Sequence, residues 1–325
     1  MNEEATFVDE IRRTPDDLTP RLIYADYLED CGDPRGELIR VQCELSEMAP
    51  GTPGRSERMN RERELLESYA DLWLQPLREL GVRGLSFHSF ERGLLERIRI
   101  SAVDYHRNWE RLLELTPALQ HLNLRSVREL SEAQFRTLTF PEQIVSLDIS
   151  AGQIDADTLC RLNVSMTLAV NLTSLDVSGN PVGSAAFSVL PMTQIDSLNA
   201  GYCAITGQNL AEQLVRMEGG AGLNRLAGRM TEIVLRGNAL AGDGISALTK
   251  YTWSQLRHLD LTSCQLSSLQ RLATPSPFPS LESLVIRNNP ISDWPDQSAE
   301  TSHFIERLRV MDLRGTPLSG KSHGV

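Results

Sequence analysis

A chain of 325 residues, 41% apolar and 23% charged, has the composition of a folded globular protein, with room for two domains or one domain and a repeat array. Its formal net charge of −11 argues against general affinity for phosphate backbones or anionic membranes, so neither nucleic acid nor a membrane is an expected partner. No apolar run approaches the roughly 18 residues of a membrane helix, and the acidic start Met1-Asn2-Glu3-Glu4 lacks the basic opening of a secretory signal; a cytoplasmic protein is expected. The five cysteines (31, 43, 160, 203 and 264) are odd in number and widely spaced. They show no metal-ligand spacing with the six histidines, which suits buried reduced thiols and no metal or cofactor.

Residues 1–80 read as helices. Thr19 followed by Pro20 sets an N-cap with proline at the first helical position, and Ile23, Tyr24, Tyr27, Leu28 and Cys31 then share one face. Gly32 closes that helix and Asp33-Pro34 opens another, whose apolar positions are Leu38, Val41, Leu45 and Met48. After the Pro/Gly/Ser-rich residues 50–56, a longer helix carries Leu66, Tyr69 and Trp73. Pro76 is expected to break or restart it, and Gly81 to close it. This region holds ten arginines against nineteen Asp and Glu, a net −9, so most of the chain's acidity sits here. A basic partner or solvated helical faces both account for that.

The run FVDEIRRTPDDLTPRLIYADYLEDCGDPRGELIRVQCEL, residues 7–45, resembles the repeat-companion domain abundant in planctomycete proteins, a bacterial family. The resemblance rests on Pro15, Asp17, Pro20, Arg21, Leu22, Tyr24, Ala25, Asp26, Leu28 and Glu29, then on Gly32, Asp33, Pro34, Arg35, Gly36, Glu37, Ile39, Arg40 and Gln42; Tyr27 stands where the family usually has Trp. Trp73-Leu74-x-Pro76-Leu77 and Phe90-Glu91-Arg92-Gly93 resemble the family's usual lead into a repeat array. The run covers about an eighth of the chain. It implies a helical domain that accompanies repeats and brings no activity with it. Arg21, Asp26, Asp33, Arg35, Glu37 and Arg40 are accordingly expected to serve as caps and intradomain ion pairs.

From Leu172 the chain reads LTSLDVSGNPV, the pattern L-x-x-L-x-L-x-x-N-x-L. The same frame recurs from Ile195, Met230, Leu256, Leu281 and Leu308, with weaker copies from Ile144, Leu119 and Leu95. Pattern and period resemble those of leucine-rich repeats. The expected fold is an α/β solenoid, a leucine-rich-repeat horseshoe of about nine repeats over residues 81–318, with an all-α domain over 1–80 and a polar tail over 319–325. In each copy a short strand should point Leu175 and Val177, or their equivalents, into the core and the alternate residues outward. Asn180, Cys203, Asn238, Cys264 and Asn289 fall at a position where a small polar side chain turns inward and satisfies backbone groups. Helices are expected over 156–162, 185–190 and 244–248. The stretch 207–230 lengthens one repeat, with a helix over 209–217, and reads either as a tolerated insertion or as a partner-binding loop.

Gly315–Ser322 fits G-x-x-x-x-G-K-[ST] letter for letter, but only His323, Gly324 and Val325 follow, too few for the helix whose amides hold the phosphates. No other catalytic motif is present in a context that would activate it. Trp109, Trp253 and Trp294 lie outside the strands and read as packing residues. The candidate partner-binding surface is the concave strand face: Arg97, Arg99, His121, Asn123 and Arg125, then Asp148, Asp176 and Asn199, then Glu232, Arg236, His258, Asp260, Arg287, Asp312 and Arg314. His121 and His258 read as plain solvated histidines ahead of recognition contacts, and the recurrent Asp and Asn as either recognition residues or a structural ladder.

The leading functional reading is a non-catalytic module that binds a protein through this face. An enzyme with a site in or beside the helical domain, and an inhibitor of an intracellular enzyme, are the alternatives. The stripe Leu66, Tyr69, Trp73 and Leu77 should cap the first coil by packing on the Leu95 repeat or on residues 85–87. The last strand, near residues 309–313, should be an edge guarded by charge or paired in a homodimer.

Overall fold

The computed structural model describes residues 3–14, 17–85, 90–218, 222–273, 277–293 and 304–318. Nine strands, β1 to β9, follow one another in sequence order in one open sheet. The chain divides into two compact units, Met1–Glu129 with Gln143–Ser146, and Leu130–Glu142 with Leu147–Val325.

In the first unit, α1 (Glu3–Arg13), α2 (Thr19–Asp30), α3 (Arg35–Glu47) and α4 (Arg55–Glu79) precede β1 (Arg97–Ser101), α5 (Ala102–Leu115) and β2 (His121–Arg125). Thr19 is not the cap expected of it: α2 already begins there, and Asp17 ahead of it accepts the Thr19 amide at 2.8 Å. Nor does Pro76 break α4, which runs on to Glu79. The proline lies in the last turn, where only its own amide bond is lost and the burial of Leu74 and Leu77 holds the helix together.

Val8, Ile11, Tyr24, Ala25, Leu28, Ile39 and Cys43 share one core with Leu94 and Ala118, which come from the first two coils. Gly93 makes the close approach possible. Its φ is +82°, a Cβ there would collide with Ile39, and its amide donates to the Gln42 side chain at 2.6 Å. Buried Arg21 of α2 reaches Glu96, just ahead of β1, at 2.5 Å. Of the expected capping stripe, Leu66 and Leu77 are buried, Tyr69 stacks on Trp73, and Trp73 meets Phe90 edge-on at 5.6 Å. The free side of β1 is met by Arg83, whose amide donates to the Arg99 carbonyl at 2.9 Å. Phe87 lies outside the described residues.

The second unit runs through α6 (Glu132–Thr137), β3 (Ser146–Asp148, all but its first residue), α7 (Ala156–Leu168), β4 (Ser174–Asp176), α8 (Ala185–Ser188), β5 (Ser197–Asn199), α9 (Gly207–Glu218) and α10 (Gly222–Ala227). It continues with β6 (Glu232–Val234), α11 (Ala241–Thr249), β7 (His258–Asp260), α12 (Gln270–Ala273), β8 (Ser283–Val285) and β9 (Val310–Asp312). From β4 to β9 the pairing is parallel and in step, so Leu175, Leu198, Ile233, Leu259 and Leu284 form one row. All five are at most 1% exposed, and the next inward row, Val177, Ala200, Leu235, Leu261 and Ile286, is fully buried. Strand alternation leaves the intervening side chains on the opposite face.

The lengthened repeat is not a loose loop in its described part. α9 buries Leu210 and Leu214, α10 buries Leu223 and Leu226, and Arg229 donates to the carbonyls of Ile195 and Leu190 at 2.9 and 3.0 Å. The extra residues therefore enlarge the core. Trp253 is fully buried, with its indole donating to Leu248 at 2.9 Å, as a packing residue should be.

Candidate binding face

The inward side of the strand exit determines what the outward side can present. The Asn180 amide donates to the carbonyls of Ile149 and Val177 at 2.9 and 2.8 Å, and its oxygen accepts from Ile154 at 3.1 Å. Asn238 repeats this on Ala200, Leu235, Cys203 and Ile205, and Asn289 on Leu261, Ile286, Cys264 and Leu266. Each buried asparagine thus stitches its own coil to the preceding one. Cys203 and Cys264 fill the alternate coils, their thiols donating to Val177 and Leu235 at 3.2 Å. Burial pushes those thiols up, to about 11 and about 12. Thr316 takes the same place in the last repeat, buried and bonded to the Leu313 carbonyl at 2.7 Å.

One residue before that position, the backbone turns left-handed. Ser126, Ala151, Tyr202, Ser263 and Asn288 have φ between 50° and 56°, and Gly179, Gly237 and Gly315 between 69° and 73°. Nothing in the mixed residue types announces this column. Tyr202 belongs to it, exposed by 60%, with its ring over Gly237 where any Cβ would collide.

On the outward face of the second unit, the fifth motif position carries Asp or Asn in most coils. Asp148, Asp176, Asn199, Asp260 and Asp312 each accept the backbone amide two residues on, at 2.8–3.1 Å. One oxygen of each is therefore structural. In three of the aspartates the second oxygen reaches sideways: that of Asp176 accepts from the Asn199 side-chain amide at 2.8 Å, that of buried Asp260 pairs with Arg236 at 2.9 Å, and that of Asp312 holds both Arg287 and Arg314, at 2.6 and 2.7 Å. Hydrogen bonds from Arg314 and Arg287 keep the Asp312 carboxyl far below its usual range, against a smaller upward push from burial. Glu232 accepts from Ser197 at 2.8 Å, and His258 is half-buried.

In the first unit, register places Arg97 beside His121 and Arg99 beside Asn123, with Arg125 beside Ser101. Arg97 and Arg99 are exposed; His121, Asn123 and Arg125 are half-buried. Burial lowers the His121 pKa, and the Arg97 charge lowers it further against a weaker pull from Glu91.

The helical region holds a second set of charges. Glu37 pairs with Arg61, Asp33 with Arg35, and Arg40 with Asp26 and Glu29. These side chains are engaged with each other, as caps and ion pairs would be. No group of three or more His, Cys, Asp or Glu among the described residues could hold a metal ion. Lys321 and Trp294 lie outside those residues.

The family model for Leucine Rich repeat matches residues 170–186, which span β4 and the turn into α8. The fold is that of a leucine-rich-repeat solenoid. A crystal structure of a TLR13–ssRNA13 complex is similar over 63% of this chain and 33% of that one, at 16% identity and a TM-score of 0.34. The chain thus spans about a third of that neighbour, and so loose a likeness says nothing of ligands. No curated protein matches it. Among the described residues no helix is long and apolar enough to cross a membrane.

Proposed function

We propose that this leucine-rich-repeat chain is a non-catalytic module that binds a protein partner through the outward strand face. The observation that carries the reading is the cross-strand interlocking of that face. Side chains free of core duty are held by neighbours at 2.6–2.9 Å, Arg236 on Asp260 and Arg287 on Asp312 among them. A polar surface ordered in advance loses little rotamer freedom when a partner docks. Residues 1–80 act in this reading as a repeat-companion domain, residues 81–318 as the solenoid and 319–325 as a tail. The motif residues Arg21, Gly36 and Gln42 support this at the joints: a Cβ on Gly36 would lie 2.6 Å from the Ala25 carbonyl. The five cysteines are unpaired, buried at 43, 203 and 264 but, against the expectation of buried thiols, exposed at 31 and 160; thiols left free in this way suit work in the cytoplasm, where they stay reduced.

The test is a photo-reactive side chain at Ser174, Ser197 or Ser283 on the strand face, against Gln208 or Asp243 on the helices. One protein adduct should form at the strand positions and be absent at the helical ones. Adducts confined to the helices, or none anywhere, would reject the reading. A homodimer through β9 is a second reading, favoured by Val310, a β-branched side chain 48% exposed on the last strand. Sedimentation at micromolar concentration should then show a dimer that Val310→Lys dissociates; a clean monomer removes it.

A further inference from the structure

The charged side chains of the outward face are distributed unevenly between the two units. In the second unit Arg236, Arg287 and Arg314 are each held by an aspartate. In the first unit Arg83, Arg97 and Arg99 are exposed, and among the described residues none has an ion pair or side-chain hydrogen bond. Their placement follows from strand pairing. Arg83 bridges Arg99 in antiparallel register, so their side chains leave the same face, and Arg97 is two residues along on that face. Strands about 4.8 Å apart with a repeat of about 6.7 Å along the strand put the three guanidinium stems within roughly 10 Å of one another. Asn123 and His121 lie beside Arg99 and Arg97 on β2.

Three unpaired like charges this close repel each other, and the chain could have relieved that with any of its 43 acidic residues. Glu91 is the acidic group felt at His121, and more weakly than Arg97. We propose that Arg83, Arg97 and Arg99 form a docking site for an acidic segment of a protein partner, with its carboxylates received by the three guanidinium forks. Arg binds carboxylates bidentately, which suits a short run of Glu or Asp. A nucleic acid fits less well. Non-specific single-strand binding stacks bases on exposed aromatic rings, and the β1 and β2 faces carry Arg, Ser, His and Asn but no Phe, Tyr or Trp. The chain's net −11 also opposes a long phosphate backbone.

This site rests on the protein-binding reading above and narrows it to one chemistry. The test uses the full chain with fluorescein-labelled octaglutamate, octaglutamine and an eight-nucleotide single-stranded RNA at low and physiological salt. Octaglutamate should bind, weaken as salt rises, and lose about tenfold or more of its affinity in R97E/R99E and in R83Q/R97Q, with the melting temperature unchanged. R216Q, at an exposed arginine of α9, should leave it within about twofold. Octaglutamine should not bind. Octaglutamate binding that is absent, or indifferent to R97E/R99E, overturns the proposal, as does RNA bound more tightly than octaglutamate through the same arginines. If octaglutamate fails while strand-face photo-adducts still form, only this site is wrong. If octaglutamate binds and no protein adduct forms at any position, the broader reading fails instead.

Discussion

At Asn238 four backbone groups from two coils depend on one side chain, all at 2.8–3.0 Å and all buried. Asn238→Ala leaves the amides of Cys203 and Ile205 without that partner and opens a small void. Each unsatisfied buried group costs about 1–3 kcal/mol, so the variant should lose roughly 3 kcal/mol or more. Urea unfolding should show a lower midpoint. The left-handed column gives a prediction of the opposite sign. Ala151 sits at φ 50°, where a Cβ costs about 1–2 kcal/mol and glycine's extra unfolded freedom returns about 0.5–1. Ala151→Gly should therefore stabilise by about 0.5–1 kcal/mol. A rise in melting temperature checks it, and a fall would mean that the strain is relieved elsewhere.

His121 supplies the pH dependence. Burial and Arg97 lower its folded pKa below 6.5, with Glu91 pulling the other way. The unfolded chain then takes up a proton that the folded chain refuses, so stability falls as pH drops from about 7 towards the folded pKa. Ring-proton titration by NMR should find His121 below 6.5. Arg97→Ala should raise that value and flatten the loss of stability on acidification.

Among the elements, the strands are held by two inward rows and the helices by what they bury. Leu259 is 1% exposed between Ile233 and Leu284, in register with both. Leu259→Ala should cost about 2–5 kcal/mol, the span seen for emptied core sites; calorimetry of variant against parent measures it, and a cost near zero would mean that the neighbouring coils close over the gap. α10 illustrates an element whose meaning comes from what it packs on. With α9 it turns a lengthened repeat into extra core, anchored by Arg229 on the carbonyls of Leu190 and Ile195 ahead of β5.

For the chain taken whole, the two compact units each supply their own interior, and the first contains helices and coils together. The glycine-lysine motif at the end competes for residues already in use. Thr316 and Leu318 are buried as the closing positions of the last repeat. ATP at millimolar concentration should leave the melting temperature unchanged, for the parent and for Lys321→Ala alike. A ligand-dependent rise of several degrees would reverse that conclusion, because tight binding to the folded state must stabilise it.

The rows Leu175 to Leu284 and the asparagines at 180, 238 and 289 were legible along the chain because each is a local requirement. A strand buried on one face must alternate, and a coil leaving that strand must satisfy its backbone. The expected ion pairs of Asp33, Arg35, Glu37 and Arg40 were likewise within reach, although the pairing of Arg21 with Glu96 was not. Thr19 and Pro76 misled because helix ends are set by which turn is buried as much as by the residues at the boundary. Register decided the rest. Whether Arg236 meets Asp260, whether Arg83 lies beside Arg99, and whether Tyr202 covers Gly237 depend on residues 16 to 35 positions apart being brought side by side by the pairing of neighbouring segments. Charge pairing acts through space at a few ångströms, so a list of outward residues could show which charges the face carries but not which of them remain unpaired.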